Sequence, residues 1–339
     1  MKKKILVTGG AGYIGSHCCK LLAANGYRPV VYDNRSTGHR DFVKWGPLIE
    51  GDIRNREYLQ KVVALERPAA VMHFAALALV GESVDAPDRY WDVNVGGTLA
   101  LLEAMRAGGC DKLVFSTTCA VYGETTTIPI DEETAKAPVS PYGASKLTAE
   151  WMMESYDRAY GLRSVRLRYF NACGADPDGE IGEDHSPETH LIPLILDVAL
   201  GRRENISIFG ADYPTLDGTA IRDYVHVIDI AAAHLEALDY LLSGGETVAV
   251  NLGTGEGASV AAVIAAVERV TGRKVATRSA SRRNGDPAQL VANPAFVAKL
   301  LGWRAMSTLE EAVQDAWRWH QARFCAANTV TLRQTASRE

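Results

Sequence analysis

No CxxC pair, no cluster of cysteine and histidine at metal-ligand spacing and no long apolar run occur in this chain. The six cysteines, Cys18, Cys19, Cys110, Cys119, Cys173 and Cys325, are scattered. That argues against a disulfide framework and a structural zinc, and reads as reduced thiols in a cytoplasmic protein, with no metal expected. After Lys2-Lys3-Lys4 the apolar run Ile5-Leu6-Val7 stops at a glycine loop, too short for the core of a secretory leader, and no later stretch reaches membrane-spanning length. An excess of one charge is missing as well: 36 Lys and Arg against 41 Asp and Glu leave a net charge of -5. Such a surface has no cationic field to gather nucleic acid or an anionic membrane, so neither is expected as a partner. What is plentiful is core material, 47% apolar residues over 339 positions, together with 30 glycines. A disordered or fibrous chain is thereby excluded, and a small molecule becomes the default partner.

Short β-branched runs alternate with longer helical patterns through the first 170 residues. Lys4–Val7, Val30–Asp33, Ala70–Phe74, Leu113–Ser116 and Ser164–Arg168 read as strands, a further one ends before Asp52, and Ile14–Asn25, Asn55–Glu66, Asn94–Ala107 and Tyr142–Tyr160 read as helices. This is the pattern of an α/β fold with a doubly wound, Rossmann-type parallel sheet. After Tyr169 the sequence turns loop-rich over Asn171–Thr189, then gives a helix at Leu191–Gly201 and a short strand at Ile206–Phe209. We therefore expect a cofactor domain over 1–170, a smaller mixed α/β lobe for substrate over 171–325, and a polar, frayed tail over 326–339. Val248–Leu252 reads as a buried strand, so segments between about 220 and 255 are expected to return to the main sheet.

Thr8-Gly9-Gly10-Ala11-Gly12-Tyr13-Ile14-Gly15 follows the first strand and opens the first helix. At that junction Gly9 permits a tight turn, Gly12 lets backbone approach a pyrophosphate, and Gly15 allows close helix–strand packing, with free helix N–H groups facing the phosphates. Asp33, at the end of the second strand, suits the ribose hydroxyls of adenosine and repels a 2′-phosphate, which favours NAD over NADP. Asp52 reads either as a partner of the adenine amine or as a strand-end turn residue.

Tyr142 and Lys146 lie four residues apart at the start of a helix, on one face. A nearby cation favours the phenolate, which turns this pair into an acid–base device when a dinucleotide site stands upstream. Ser116, Thr117 and Thr118 bring hydroxyls to the carboxyl edge of the sheet. Thr118 suits a substrate hydroxyl, whereas Ser116 and Thr117 read as strand-end caps.

These features resemble the extended short-chain dehydrogenase/reductase family and, within it, the UDP-glucose (UDP-galactose) 4-epimerases. The resemblance runs from Thr8–His17 through Gly51–Arg54, His73–Ala76, Val80–Ser83, Ser140–Gly143 and Arg168–Asn171 to Asp217–Thr219, Arg222–Val227 and Arg282–Asp286. It implies an isomerase of carbohydrate (galactose) metabolism that keeps NAD bound. Tyr142 takes the proton from the sugar 4-hydroxyl while the C4 hydride leaves for the nicotinamide, and the 4-keto sugar turns over before the hydride returns. Lys146 holds the nicotinamide ribose, and Thr118 stands where the family carries Ser or Thr. Cofactor contacts are implied for Gly9, Gly12, Tyr13, Ile14, Gly15, Asp33, Asn34, Asp52, Ile53, Phe74, Ala75, Ala76, Asn94, Ser116 and Tyr169 besides Tyr142 and Lys146. Substrate contacts are implied for Thr118, Tyr142, Asn171, His190, Leu191, Phe209, Arg222, Arg283, Asp286 and Leu290, the arginines at the diphosphate.

Three departures stand out. Ala78 replaces a lysine that many members place near the cofactor ribose, and Leu290 holds the position whose size is thought to gate N-acetylated sugars. Cys119-Ala120 replaces the acidic pair with which the related dehydratases eliminate water. The resemblance also implies a homodimer through the helices at Asn94–Ala107 and Tyr142–Tyr160, with Leu99, Leu102, Trp151 and Tyr156 either in that contact or in the core. UDP-pentoses, UDP-N-acetylhexosamines and a non-catalytic, NAD-sensing role stay open as alternatives.

Overall fold

The computed structural model describes residues 2–283 and 286–336, with side chains described as far as Phe324. Asn284 and Gly285 of the Arg282–Asp286 motif, and the last three residues of the tail, lie outside the described residues. Seven strands form the main sheet: β1 Lys4–Thr8, β2 Arg28–Asp33, β3 Leu48–Glu50, β4 Ala70–His73, β5 Lys112–Thr118, β6 Arg163–Tyr169 and, from later in the chain, β11 Val248–Leu252. All pair in parallel, in the order β11-β6-β5-β4-β1-β2-β3. The order reverses at β1, between β4 and β2, and a crevice therefore opens beyond the carboxyl ends of these strands, where doubly wound sheets bind ligands. β5 extends past Ser116 because the β-branched Thr117 and Thr118 stay in register with Arg168 and Tyr169.

Strand side chains alternate between two cores. Ile5 and Val7 pack with Cys18 and Leu22 of α1 (Tyr13–Ala24) and with Ile230 and Leu238 of α8 (Val227–Leu242). Leu6 faces Leu59 and Val63 of α2 (Arg56–Glu66), Leu101 and Met105 of α5 (Gly97–Gly108), and Met153 of α6 (Pro141–Tyr160). Leu101 and Met105 are fully buried, so truncating either to alanine costs about 2–5 kcal/mol. Helices α3 (Val80–Asp85) and α4 (Pro87–Tyr90) precede a π-helical stretch over Trp91–Gly96 that runs into α5.

The remaining elements form a smaller, less regular lobe. Its strands are β7 Asn171–Cys173, β8 Ile206–Phe209, β9 Ile221–Arg222, β10 Tyr224–His226, β12 Ala258–Ser259, β13 Thr277–Ala280 and β14 Gln289–Leu290. They pair as β10 with β7, β13 with β8, and β9 between β12 and β14. Helices α7 (Leu191–Leu200), α9 (Val260–Thr271) and α11 (Leu309–Ala336) enclose a third core around Ile195, Leu196, Val263, Val267 and Val313, and α10 (Ala295–Leu301) packs Val297 on the first. α11 runs on to Ala336, through most of the segment that reads as a frayed tail, and no Gly or Pro interrupts it. Among the described residues no helix is long and apolar enough to cross a membrane.

Candidate active site

The glycine loop is shaped by close approach. Gly9 sits at φ +74°, and a Cβ there would meet the Ala75 nitrogen at 2.5 Å, while one on Gly15 would meet the Gly9 oxygen at 2.3 Å. Gly12 differs, because its Cβ would find nothing nearer than the Gly9 oxygen at 3.4 Å. As the N-cap of α1 it carries no side-chain cap, which leaves the N–H groups of the first turn, at Tyr13 and Ile14, available to an anion.

Around this cradle stand the residues that the sequence assigns to the dinucleotide. Asp33, at the end of β2, accepts hydrogen bonds from the Ala11 and Arg35 backbone N–H groups at 2.9 and 2.7 Å. Its burial raises the carboxyl pKa, with those two donors pulling the other way. Asn34 donates to the Asp52 carboxylate at 3.0 Å, and that carboxylate also receives the Arg54 backbone N–H and guanidinium at 2.8 Å, so in the protein alone it closes the turn after β3. Arg54 holds the Asp52 carboxyl well below the usual carboxylate range.

Other side chains of that set turn into the protein. Tyr13 donates its hydroxyl to the Gly174 carbonyl at 2.7 Å, Ile53 is buried against Gly97, and Phe74 stacks on His234 with ring centroids 4.7 Å apart. Asn94 brackets the backbone of Leu77, donating to its carbonyl at 3.0 Å and accepting its N–H at 2.8 Å, and donates to Ser145 Oγ at 3.0 Å. It thereby fastens the loop after β4, which includes Ala75, Ala76 and Ala78, to α6.

Ser140 caps α6 through the Gly143 N–H at 3.2 Å, and Pro141 occupies the first helical position. That start places Tyr142 and Lys146 one turn apart, both buried, facing the end of β5. Lys146 Nζ donates to the Ser116 carbonyl at 2.9 Å and lies 4.8 Å from the centre of the Phe115 ring. Thr118 accepts the Ala120 N–H at 3.1 Å, and its hydroxyl is close enough to the Tyr142 phenol to favour the phenolate. The other two hydroxyls are not strand-end caps. Ser116 bonds to the Tyr169 hydroxyl, and Thr117 donates to Glu150 at 2.8 Å.

Electrostatics within the protein run opposite to the sequence expectation for this pair. Burial pushes the Tyr142 phenol up to about 12, with the nearby Thr118 hydroxyl only partly opposing. The same burial brings Lys146 down to about 7, against the pull of Glu150. In the protein alone burial therefore keeps the Tyr142 phenol protonated at neutral pH, and Lys146 is not among the groups that shift it.

On the lobe side, Leu290 packs against the cluster that includes Cys119, Val121 and Tyr122, directly after Thr118, so β14 lies beside the end of β5. Its neighbour in register is Arg222, which donates to the Ile221 carbonyl at 2.7 Å and pairs with Asp286. Arg283 lies 4.0 Å over the centre of the Phe209 ring. Asn171 opens β7, its backbone N–H held by the Asp223 carbonyl at 2.9 Å, and Leu191 is the first residue of α7. His190 is drawn elsewhere: its Nδ1 lies 2.7 Å from Glu183 and 3.3 Å from Glu188.

Sequence reasoning missed the support beneath this site. Arg168 forks onto Glu150, which receives Thr117, and also donates to the Tyr122 hydroxyl at 2.9 Å, which in turn donates to Asn251 at 2.7 Å. The available signal was an arginine inside a buried parallel strand, a position that demands a partner.

Comparison with known proteins decides the family. Residues 5–253 match the model of the "NAD dependent epimerase/dehydratase family". The chain belongs to that family. It is 54% identical over 319 residues to the UDP-glucose 4-epimerase of Rhizobium meliloti (strain 1021), covering 94% of this chain and 97% of that one. Its structure is similar to that of the Brucella ovis UDP-glucose 4-epimerase in complex with NAD, with a TM-score of 0.91 at 50% identity over 93% of this chain and 97% of that one. The Bifidobacterium longum UDP-glucose 4-epimerase in complex with NAD+ and UDP gives a TM-score of 0.90 at 35% identity, over 95% and 99%. The match to the epimerase/dehydratase family ends just after β11, so it takes in the glycine loop, Tyr142, Lys146 and Arg222. Arg283, Asp286 and Leu290 fall beyond it, in the part of the lobe reached by the full-length relatives.

Proposed function

We propose that this protein is a UDP-sugar 4-epimerase that works with bound NAD and interconverts UDP-glucose and UDP-galactose. The observation that carries the proposal is the meeting of Tyr142, Lys146 and Thr118 at the carboxyl edge of the sheet, across from a glycine cradle with uncapped N–H groups. The cradle suits NAD: a Cβ at Gly12 would occupy otherwise open space, and Asp33, at the end of β2 with its carboxylate oriented by two backbone N–H groups, suits the ribose hydroxyls. When bound, NAD supplies a positive charge and takes up and returns the C4 hydride of the sugar.

The residues divide the work. Thr118 orients the sugar 4-hydroxyl, and Tyr142 removes its proton at the phenol oxygen and gives one back on the return step. Lys146, anchored on the Ser116 carbonyl, adds its charge and a donor beside the phenol. Arg222 and Arg283 take the diphosphate, and the Phe209 ring, already stacked on Arg283, presents an aromatic face to the base. Firm hold on the nucleotide and a looser one on the hexose are consistent with a keto sugar that must offer both faces. Elimination of water has no acid here, since burial raises the Cys119 thiol to about 12 and Ala120 carries no titratable group.

The same reading includes a cytoplasmic homodimer. Buried free thiols at Cys18, Cys19, Cys110, Cys119 and Cys173 suit a reducing compartment. Leu102 is fully buried in the core, whereas Trp151 on α6 is 56% exposed and remains for a partner. The decisive experiment is conversion of UDP-galactose by purified protein with no NAD added, beside UDP-N-acetylgalactosamine and UDP-xylose. UDP-galactose should turn over fastest. No conversion of any of the three, even with NAD supplied, refutes the proposal.

A further inference from the structure

We infer that the loop leading into α7 is a site for a divalent transition-metal cation of the zinc class, held by Glu183, His185, Glu188 and His190. One nitrogen or oxygen from each of the four lies within 4.8 Å of the other three. The two histidines each present Nδ1 to both carboxylates, His190 at 2.7 and 3.3 Å and His185 at 3.4 and 3.5 Å. Bonds of about 2.0–2.1 Å from a tetrahedral ion to nitrogen and oxygen put neighbouring ligands about 3.3–3.4 Å apart. Around Glu183 Oε1 the His185 contact already has that spacing and the His190 contact must open by roughly half an ångström, while Glu188 turns Oε2 to His185 and Oε1 to His190 and would give one of them to the ion.

Two features separate this cluster from an ordinary charged patch. His185 Nδ1 is buried and has no hydrogen-bond partner of adequate geometry, although it faces two carboxylates. The ligands are also oriented in advance. The Tyr13 ring stands edge-on to His185 at 6.3 Å, and the Glu188 carboxylate accepts the Thr189 and His190 N–H groups at 2.7 and 2.8 Å. The nearby trio Asp176, Asp178 and Glu180 differs in its partner: the Lys20 ammonium at 2.6–2.8 Å is a donor only, whereas an imidazole that gives up its proton becomes a ligand.

Two imidazole nitrogens and two carboxylate oxygens suit a borderline cation, whereas calcium and magnesium take all-oxygen shells of six or more. With four protein ligands the site is closed, so the cation's role is structural: it cross-links the loop from Glu183 to His190, the N-cap of α7. The spacing Glu-x-His-x-x-Glu-x-His contains no cysteine and half its donors are carboxylates, which is why a search for cysteine and histidine pairs passes over it.

The test uses untagged full-length protein dialysed against a chelator, then titrated with zinc chloride by calorimetry and with cobalt(II) by visible absorption. One equivalent should bind, with the intense d–d bands of tetrahedral cobalt, and zinc should raise the melting temperature. His185→Ala and Glu188→Gln should each weaken zinc binding by more than about 100-fold, beyond the loss usual for an outer-shell change. The wild-type cobalt spectrum is independent of whether either variant folds. Absence of those bands, absence of saturable binding near one equivalent, or zinc affinity unchanged in either folded variant overturns the assignment.

Discussion

The two halves of the molecule hold their polar groups differently. At the carboxyl edge of the main sheet, Thr8, His73, Ser116, Thr117 and Thr118 are all buried, and protein groups order them, as in the chain from Thr8 through His73 to Thr98 with contacts of 2.7 and 3.0 Å. In the lobe the strands run two to four residues, and the candidate nucleotide-binding groups are partly exposed: Phe209 is 36% exposed, and Arg283 rests on it rather than on a carboxylate. A packed sheet edge fixes a reacting geometry in advance, whereas short strands joined by loops leave room to close on a ligand. On the proposed function, the difference teaches that chemistry is built into the core and recognition into the periphery.

The sharpest way to break that comparison is to disable the core side alone. Tyr142→Phe should lower kcat by about two to four decades, the reach of a general base, while UDP binding by calorimetry stays within a few-fold of wild type. Unchanged turnover would remove Tyr142 from the chemistry. Next comes the support below it. Glu150→Ala leaves Arg168 buried without its carboxylate and should cost about 3–5 kcal/mol in urea denaturation. A loss under 1 kcal/mol would mean that water reaches Arg168 and that the edge is softer than its burial implies.

How far the sequence could be read follows the same division. Periodic apolar runs and the glycine loop carry enough local signal to give the parallel sheet, its first helix and the Tyr142–Lys146 face, because each feature is set by neighbours within a few residues. The ends of elements were less legible. β5 runs two residues further than its apolar pattern, since pairing with β6 rather than side-chain alternation sets its length. Directions of side chains were least legible: Tyr13 reaches Gly174, Asn94 brackets Leu77, and Thr117 meets Glu150 across separations that no local spacing encodes. The basicity of Tyr142 also misleads when only its charged neighbour is counted, because burial is a property of the fold.

That last point gives a pH test. Lys146 falls from its ordinary 10.5 to about 7 in the folded protein, so between those values the unfolded chain binds the extra proton. Stability of cofactor-free protein should therefore rise with pH from about 7 towards 10, and the contribution is absent below 7. Tyr142 works in the other direction above 10, where the folded state keeps its proton until about 12. Melting temperatures of wild type and Lys146→Met, measured from neutral to alkaline pH, isolate the lysine. The difference, wild type minus variant, should grow as pH rises, and a flat difference would mean that Lys146 stays charged in the fold.

The smallest expected effect belongs to the periphery. Arg283 stacks on Phe209 instead of pairing with a carboxylate, so removing it leaves no buried charge behind and folding should be unaffected. If it meets the diphosphate, Arg283→Ala forfeits charge-assisted hydrogen bonds worth about 1.5–3 kcal/mol, a loss of roughly 10- to 100-fold in affinity for the UDP-sugar. Because the nucleotide handle is held alike in ground and transition states, the loss should appear in KM while kcat stays near wild type. A fall confined to kcat would show that the periphery, too, is organised around the reacting carbon, and the division between a built-in chemistry and an adjustable grip would not hold.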